Sequence, residues 1–143
     1  MEANEYQIGG NHYAGNYQHW DFVIDTEMPY LLGCATKYVT RWDKKNGVED
    51  LRKSLHYLSK AEERGIYMPR STCISRFFKS IFGGETVEQK IQIKTSIFCS
   101  PLRQMEKEIV RAIVEGSYQA AMRLIEEIID SIEFGPGPDY IKG

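Results

Sequence analysis

Gly33, Lys37, Arg41 and Lys44 follow one another at spacings of four, four and three residues. On an α-helix that spacing places them in a single stripe. A row of cations beside a residue without a side chain is suited to an anion, a phosphate above all, because a ligand or a second backbone can approach closely at the glycine. Asp50, Lys53 and Tyr57 form a second stripe at the same kind of interval. If the two stripes face each other, Asp50 braces Arg41 or Lys37 and fixes a cation for an anionic substrate. The competing reading is a pair of solvated helix faces whose salt bridges are each worth under about 1 kcal/mol.

Two further segments carry chemistry-bearing residues. GGNHYAG (9–15) is a glycine-rich loop whose amides can face a phosphate, with His12 and Tyr13 able to donate hydrogen bonds or stack on a base. It is neither a GxxxxGK[ST] loop nor a GxGxxG turn, and neither motif occurs elsewhere in the chain. EEIID (126–130) sets Glu126, Glu127 and Asp130 at a spacing that can hold Mg²⁺ if a second acidic pair faces it; Glu62-Glu63 and Glu49-Asp50 are the available pairs, but a solvated acidic face is the simpler reading. His19 and His56 have no Cys or His partner at metal-ligand spacing and read as surface or interface residues, so no metal site is expected. Cys34 reads as a small buried packing residue.

These residues need helices to position them. Pro29 opens a helix over about 30–43, with Leu31, Ala35, Tyr38 and Trp42 at helical spacing and Leu32 and Val39 beside them. Lys44-Lys45-Asn46-Gly47 supplies last-turn cations and a stop. A second helix over about 48–64 buries Val48, Leu51, Leu55 and Leu58 and stops at Gly65. Together they predict an antiparallel hairpin. Before it, residues 1–18 read as a loop or arm, and a short helix from His19 to Met28 turns Trp20, Val23 and Ile24 to one side. CISRFFKSIF (73–82) predicts a helix with Ile74, Phe77, Phe78, Ile81 and Phe82 on one face, a surface better suited to a protein partner than to a membrane. KIQIKTSIF (90–98) alternates like a short strand, or is a frayed helix. Two more helices follow, about 101–115 and 117–132, the second with Ser117 as N-cap, and then a Pro/Gly coil.

The expected fold is therefore mainly α: a helical hairpin and a C-terminal helix pair, with a short strand as an option in the middle. The expected organisation is a helical region over 1–65, a connecting segment over 66–100, a helix pair over 101–134 and a tail over 135–143, all in one compact domain.

Composition limits the function classes. The chain has 143 residues, 42% hydrophobic and 27% charged, with a formal charge of −2. That balance excludes a long nucleic-acid-binding surface, yet the charge is uneven. Residues 1–36 carry five acids and no Lys or Arg, whereas 37–53 carry six cations against three acids. A local anion site is consistent with that asymmetry. Three scattered cysteines, no leader-like N-terminus and no apolar run of transmembrane length point to a cytoplasmic protein that does not enter the membrane.

GGNHY near the start and the run LLGCATKYVTRWDKKNGVEDLRKSLHYL (31–58) together resemble a family of small phage-encoded proteins, the SaV-like or nucleotide kinase-like proteins, which include the nucleotide kinase-like proteins of T-odd bacteriophages. The matching positions are His12 and Tyr13, then Gly33, Lys37, Tyr38 and Arg41, the turn residues Lys44, Lys45 and Gly47, and Glu49, Asp50, Leu51, Lys53, Tyr57 and Leu58. The resemblance covers about residues 9–63. Cys34 stands where the family pattern has Asn, and Ser54 where it has Ala.

The resemblance implies a phage protein acting in the cytoplasm of the infected bacterial host. It implies nucleotide binding and, as the reaction, transfer of a phosphoryl group to a deoxynucleoside monophosphate without a P-loop. ATP or another nucleotide would be the donor, with Mg²⁺ as an optional companion. In that reading Lys37, Arg41, Lys44, Lys45 and Lys53 hold phosphates with Gly33 and Tyr57 beside them. Tyr13 and His12 close over the nucleotide, and Asp50 and His12 are the catalytic candidates. The alternatives are a sponge that sequesters a host nucleotide signal without turnover, or a helical inhibitor of a host protein. Five amphipathic elements in so short a chain further predict a homo-oligomer, held partly by the segment after Arg64.

Overall fold

The computed structural model describes residues 3–5 and 16–135. Among them are seven α-helices: α1 His19–Asp25, α2 Tyr30–Arg41, α3 Val48–Glu63, α4 Cys73–Phe82, α5 Val87–Cys99, α6 Gln104–Glu115 and α7 Tyr118–Glu133. The described residues contain no strand, and the fold is mainly α.

The expected hairpin is α2 and α3. After Arg41 the chain makes one 3-10 turn, Trp42–Lys44, and reverses at Gly47, whose φ of +58° favours glycine. The Gly47 amide donates to the Trp42 carbonyl at 2.8 Å and closes the turn. Leu32, Ala35 and Val39 of α2 and Leu51, Leu58 and Ala61 of α3 are buried. Ser54 lies in the seam and donates its hydroxyl to the Ala35 carbonyl at 2.9 Å, so a polar side chain is buried there with its partner supplied. α7 lies against α3 and α6 against α2, and one hydrophobic cluster draws on every helix except α4.

Two expectations are corrected and a third is refined. The strand option over 90–98 is a helix: Thr86 and Gln89 form a reciprocal cap at its start, and Ile91, Thr95, Phe98 and Cys99 are buried at helical intervals while Ile93 and Ile97 face out. The apparent two-residue alternation came from isoleucines on different faces. In α1 the buried residue is Phe22, stacked on Phe98 with ring centres 4.5 Å apart, whereas Trp20 and Ile24 are exposed. Ser117 does occupy the N-cap of α7, but without the side-chain capping bond; that corner is closed by Gly116 at φ +82° and by the Ser117 amide donating to the Ala112 carbonyl. The Tyr118 hydroxyl then donates to the Ile66 carbonyl at 2.5 Å and ties the α6–α7 corner to the segment after α3.

Candidate functional site

The two stripes do face each other. The Asp50 side chain, with no exposed surface, accepts from Arg41 Nε at 3.0 Å and from Asn46 Nδ2 at 3.3 Å. Arg41 itself is mostly buried, and its guanidinium lies over the Tyr38 ring, 4.6 Å from the centre. Lys53 Nζ stands 5.5 Å from the same ring and Lys37 Nζ 5.7 Å. Tyr38 is thus approached by three cations: Arg41 three residues on along α2, Lys37 beside it, and Lys53 across the hairpin from α3.

The aromatic surface continues along the hairpin. Tyr57 stacks on Tyr38, with centres 5.8 Å apart and planes at 12°, and Tyr30 meets Tyr57 edge-on at 6.4 Å. Tyr30 is 75% exposed. Cys34 lies near the Tyr30 and Tyr57 phenols and is partly exposed rather than buried. Hydrogen bonding to the Cys34 side chain raises the Tyr30 phenol above its usual value, and the charge of Cys34 does the same at Tyr57, with burial adding to it. Both phenols therefore stay protonated donors near neutral pH.

Lys53 is held by Glu49 at 2.7 Å and lies 3.8 Å from Asp50; the Glu49 bond keeps its ammonium more firmly protonated than usual. Lys37 is exposed and has no ion-pair partner among the described residues. Lys44 and Lys45 are exposed in the turn, and Gly33 is buried against Val23 of α1 rather than open to a ligand. An added Cβ at Gly33 would lie 3.6 Å from Val23 Cγ2, an ordinary packing distance. His12 and Tyr13 lie outside the described residues.

The arrangement offers fixed donors to an oxyanion and flat rings to an aromatic group. Asp50 is shielded from the surface and holds Arg41 in place. In the sequence Tyr38 stands in the apolar stripe of the helix and among the positions of the family resemblance, but not among the candidate ligand-binding residues. What reveals it as the centre of the site is that Lys37, Arg41 and Lys53 converge on it, which requires the register of α3 against α2.

His19, expected at the surface or an interface, is partly buried, with Nε2 2.8 Å from Thr36 Oγ1 and its ring edge-on to Phe98. Burial, and then the charge of Lys37, push its pKa down to about 4. Glu126, Glu127 and Asp130 are exposed on α7, and among the described residues no group of three or more His, Cys, Asp or Glu side chains is placed to hold a metal ion.

A cavity of about 260 Å³ lies away from the hairpin, lined by Tyr67, Arg70, Ile91 and Val114 among others and by no residue of α2 or α3. Its Glu88 is already engaged, accepting from the Ser71 amide at 2.9 Å, from the Ser71 hydroxyl at 2.6 Å and from Arg76 at 3.1 Å. The Ser71 hydroxyl, then its amide, draw the Glu88 carboxyl down to about 2, with Arg76 adding to the effect. This network fastens α4 to α5 and leaves the cavity with less unspent polar chemistry than the Tyr38 surface.

The described residues contain no helix long and apolar enough to cross a membrane. No curated protein and no solved structure matches the chain. A family model described as a protein of unknown function, DUF3310, matches residues 9–59. The chain is therefore similar to that family over α1, α2 and most of α3, the segment that builds the Tyr38 surface.

Proposed function

We propose that the α2–α3 hairpin binds the phosphate of a nucleotide, and that the protein transfers a phosphoryl group to a deoxynucleoside monophosphate without a P-loop. The observation that carries the binding reading is the Arg41–Asp50 pair: a fully buried carboxylate holds a guanidinium against Tyr38 between two lysines. A guanidinium already immobilised loses little further freedom on meeting an oxyanion, and with Asp50 and Glu49 offsetting two of the three cations the cluster keeps a net positive charge for a phosphate. Tyr30 and Tyr57 supply flat partners for a base a few ångströms further along the helix.

Phosphoryl transfer asks the protein mainly for positioning and charge stabilisation, which clustered Lys and Arg provide. The transfer itself rests on the resemblance to nucleotide kinase-like proteins, with ATP the donor to test first. Purified protein is incubated with ATP, Mg²⁺ and each deoxynucleoside monophosphate, and the products are separated by chromatography. Formation of a deoxynucleoside diphosphate, lost in Arg41→Ala and Lys37→Ala, is expected. No diphosphate at high enzyme concentration removes the kinase reading.

A second reading, sequestration of a nucleotide without turnover, is supported by the burial of Asp50, which shields that carboxylate from a ligand. Calorimetry separates the two: sub-micromolar binding with the nucleotide recovered intact favours sequestration.

A further inference from the structure

α4 is amphipathic and contributes nothing to the core. Ile74, Phe77, Phe78, Ile81 and Phe82 are each 54–77% exposed, and no residue of the helix is buried. Arg76 points to the body and holds Glu88, so the apolar side is the one that faces away. Taking about 200 Å² per large apolar side chain and these exposures, the five residues leave on the order of 600 Å² open, at the upper end of what a monomer usually leaves uncovered. The surrounding segment is basic: residues 64–84 contain Arg64, Arg70, Arg76 and Lys79 and no acid.

A surface of opposite character lies at the end of α7. Glu126 and Asp130, four residues apart, share one side of α7 with Glu127 beside them, and Phe134 caps the end of the helix four residues after Asp130. All four are exposed, Phe134 at 81%. Glu126, Glu127 and Asp130 have no ion-pair partner among the described residues, and residues 124–135 contain no cation.

We propose that the α4 face of one copy docks on the Glu126–Phe134 end of α7 in a second copy, so that copies join head to tail into a closed ring. Charge chooses this occupant. Pairing α4 with α4 would set one basic segment against another, whereas α4 on α7 buries phenylalanine against Phe134 and sets the basic 64–84 segment beside carboxylates. Two different patches make a heterologous contact, which yields a ring of defined size when the rotation at each joint closes and an open filament otherwise. Polydisperse growth with concentration therefore overturns the ring.

The test is light scattering coupled to size exclusion on the full chain, with Phe78→Asp on α4 and Phe134→Asp combined with Asp130→Lys on α7. All the altered positions are exposed, so the far-ultraviolet helical signal should match the parent. The parent should run as a defined multiple of 16.5 kDa that shrinks as salt rises, and each variant alone as a monomer. Mixed one to one, the two variants retain one intact patch each and should form a dimer and nothing larger. A monomeric parent overturns the proposal, as does a parent assembly that survives the α7 changes. Failure of the mixture to pair also overturns it. So does a monomer that floats with phosphatidylserine–phosphatidylcholine vesicles through Phe78, which would assign the face to a lipid surface.

Discussion

Deleting Arg41 tests whether the site is prebuilt. Arg41→Ala leaves the Asp50 carboxylate with no exposed surface and only Asn46 at 3.3 Å and Lys53 at 3.8 Å to compensate it. Removing one member of a buried ion pair costs about 3–5 kcal/mol. The Arg41 side chain is 17% exposed and Asp50 keeps two weaker partners, so the low end applies, about 3 kcal/mol. For a chain of this size that corresponds to a fall in Tm of about 10 °C. Asp50→Asn keeps the shape and one acceptor and should lose about half as much, while still weakening phosphate binding because Arg41 is no longer fixed. Lys37→Ala provides the contrast: an exposed lysine should change stability by no more than about 0.5 kcal/mol. It should nevertheless weaken nucleotide binding about tenfold, or about 1.4 kcal/mol. Urea unfolding followed by circular dichroism gives the first quantity, and calorimetry with deoxynucleoside monophosphates and inorganic phosphate the second. The reasoning fails if Arg41→Ala costs under about 1 kcal/mol, or if Asp50→Asn binds ligand as the parent does while Arg41→Ala does not bind at all.

His19 should make the fold acid-sensitive. Its folded pKa of about 4 lies below the usual 6.5, so the unfolded chain binds more protons between those values; the contribution is complete above about pH 6.5 and is lost as pH falls toward 4, by at most about 3 kcal/mol. Urea midpoints from pH 7 to 4 should show that slope, and His19→Gln should flatten it. Ser54→Ala should cost about 1 kcal/mol or less, since the Ala35 carbonyl remains within its helix, whereas Ser54→Leu should cost about 3 kcal/mol by overpacking the α2–α3 seam; equal effects in thermal melts would show that the seam is loose. Glu106 joins the hairpin turn to α6, accepting from Trp42 Nε1 at 3.1 Å and from Arg103 through Oε1, while its buried Oε2 has no hydrogen-bond partner among the described residues. Glu106→Ala should cost about 2–3 kcal/mol by orphaning those donors, and Glu106→Gln clearly less; identical losses in denaturant titrations would argue against that role.

The sequence alone determined the hairpin. Apolar residues at intervals of three and four, a proline at the start and Asn-Gly in the turn specify two helices and their reversal, and all of those signals act within a few residues. The opposition of Arg41 and Asp50 follows from the same local geometry, because a short turn allows little freedom of register. The face of α4 was legible too, since five apolar residues at helical spacing need no tertiary information. Only the tertiary structure decided what each face meets. Phe22 rather than Ile24 is the core residue of α1 because Phe98, far along the chain, stacks on it. His19 is sheltered because Phe98 and Thr36 enclose it. The isoleucines of 91–97 form no strand because only Ile91 reaches the core, beside Thr95 and Phe98. Tyr38 became the centre of the site when α3 brought Lys53 and Tyr57 to it, a convergence set by packing between elements that periodicity along one element does not encode.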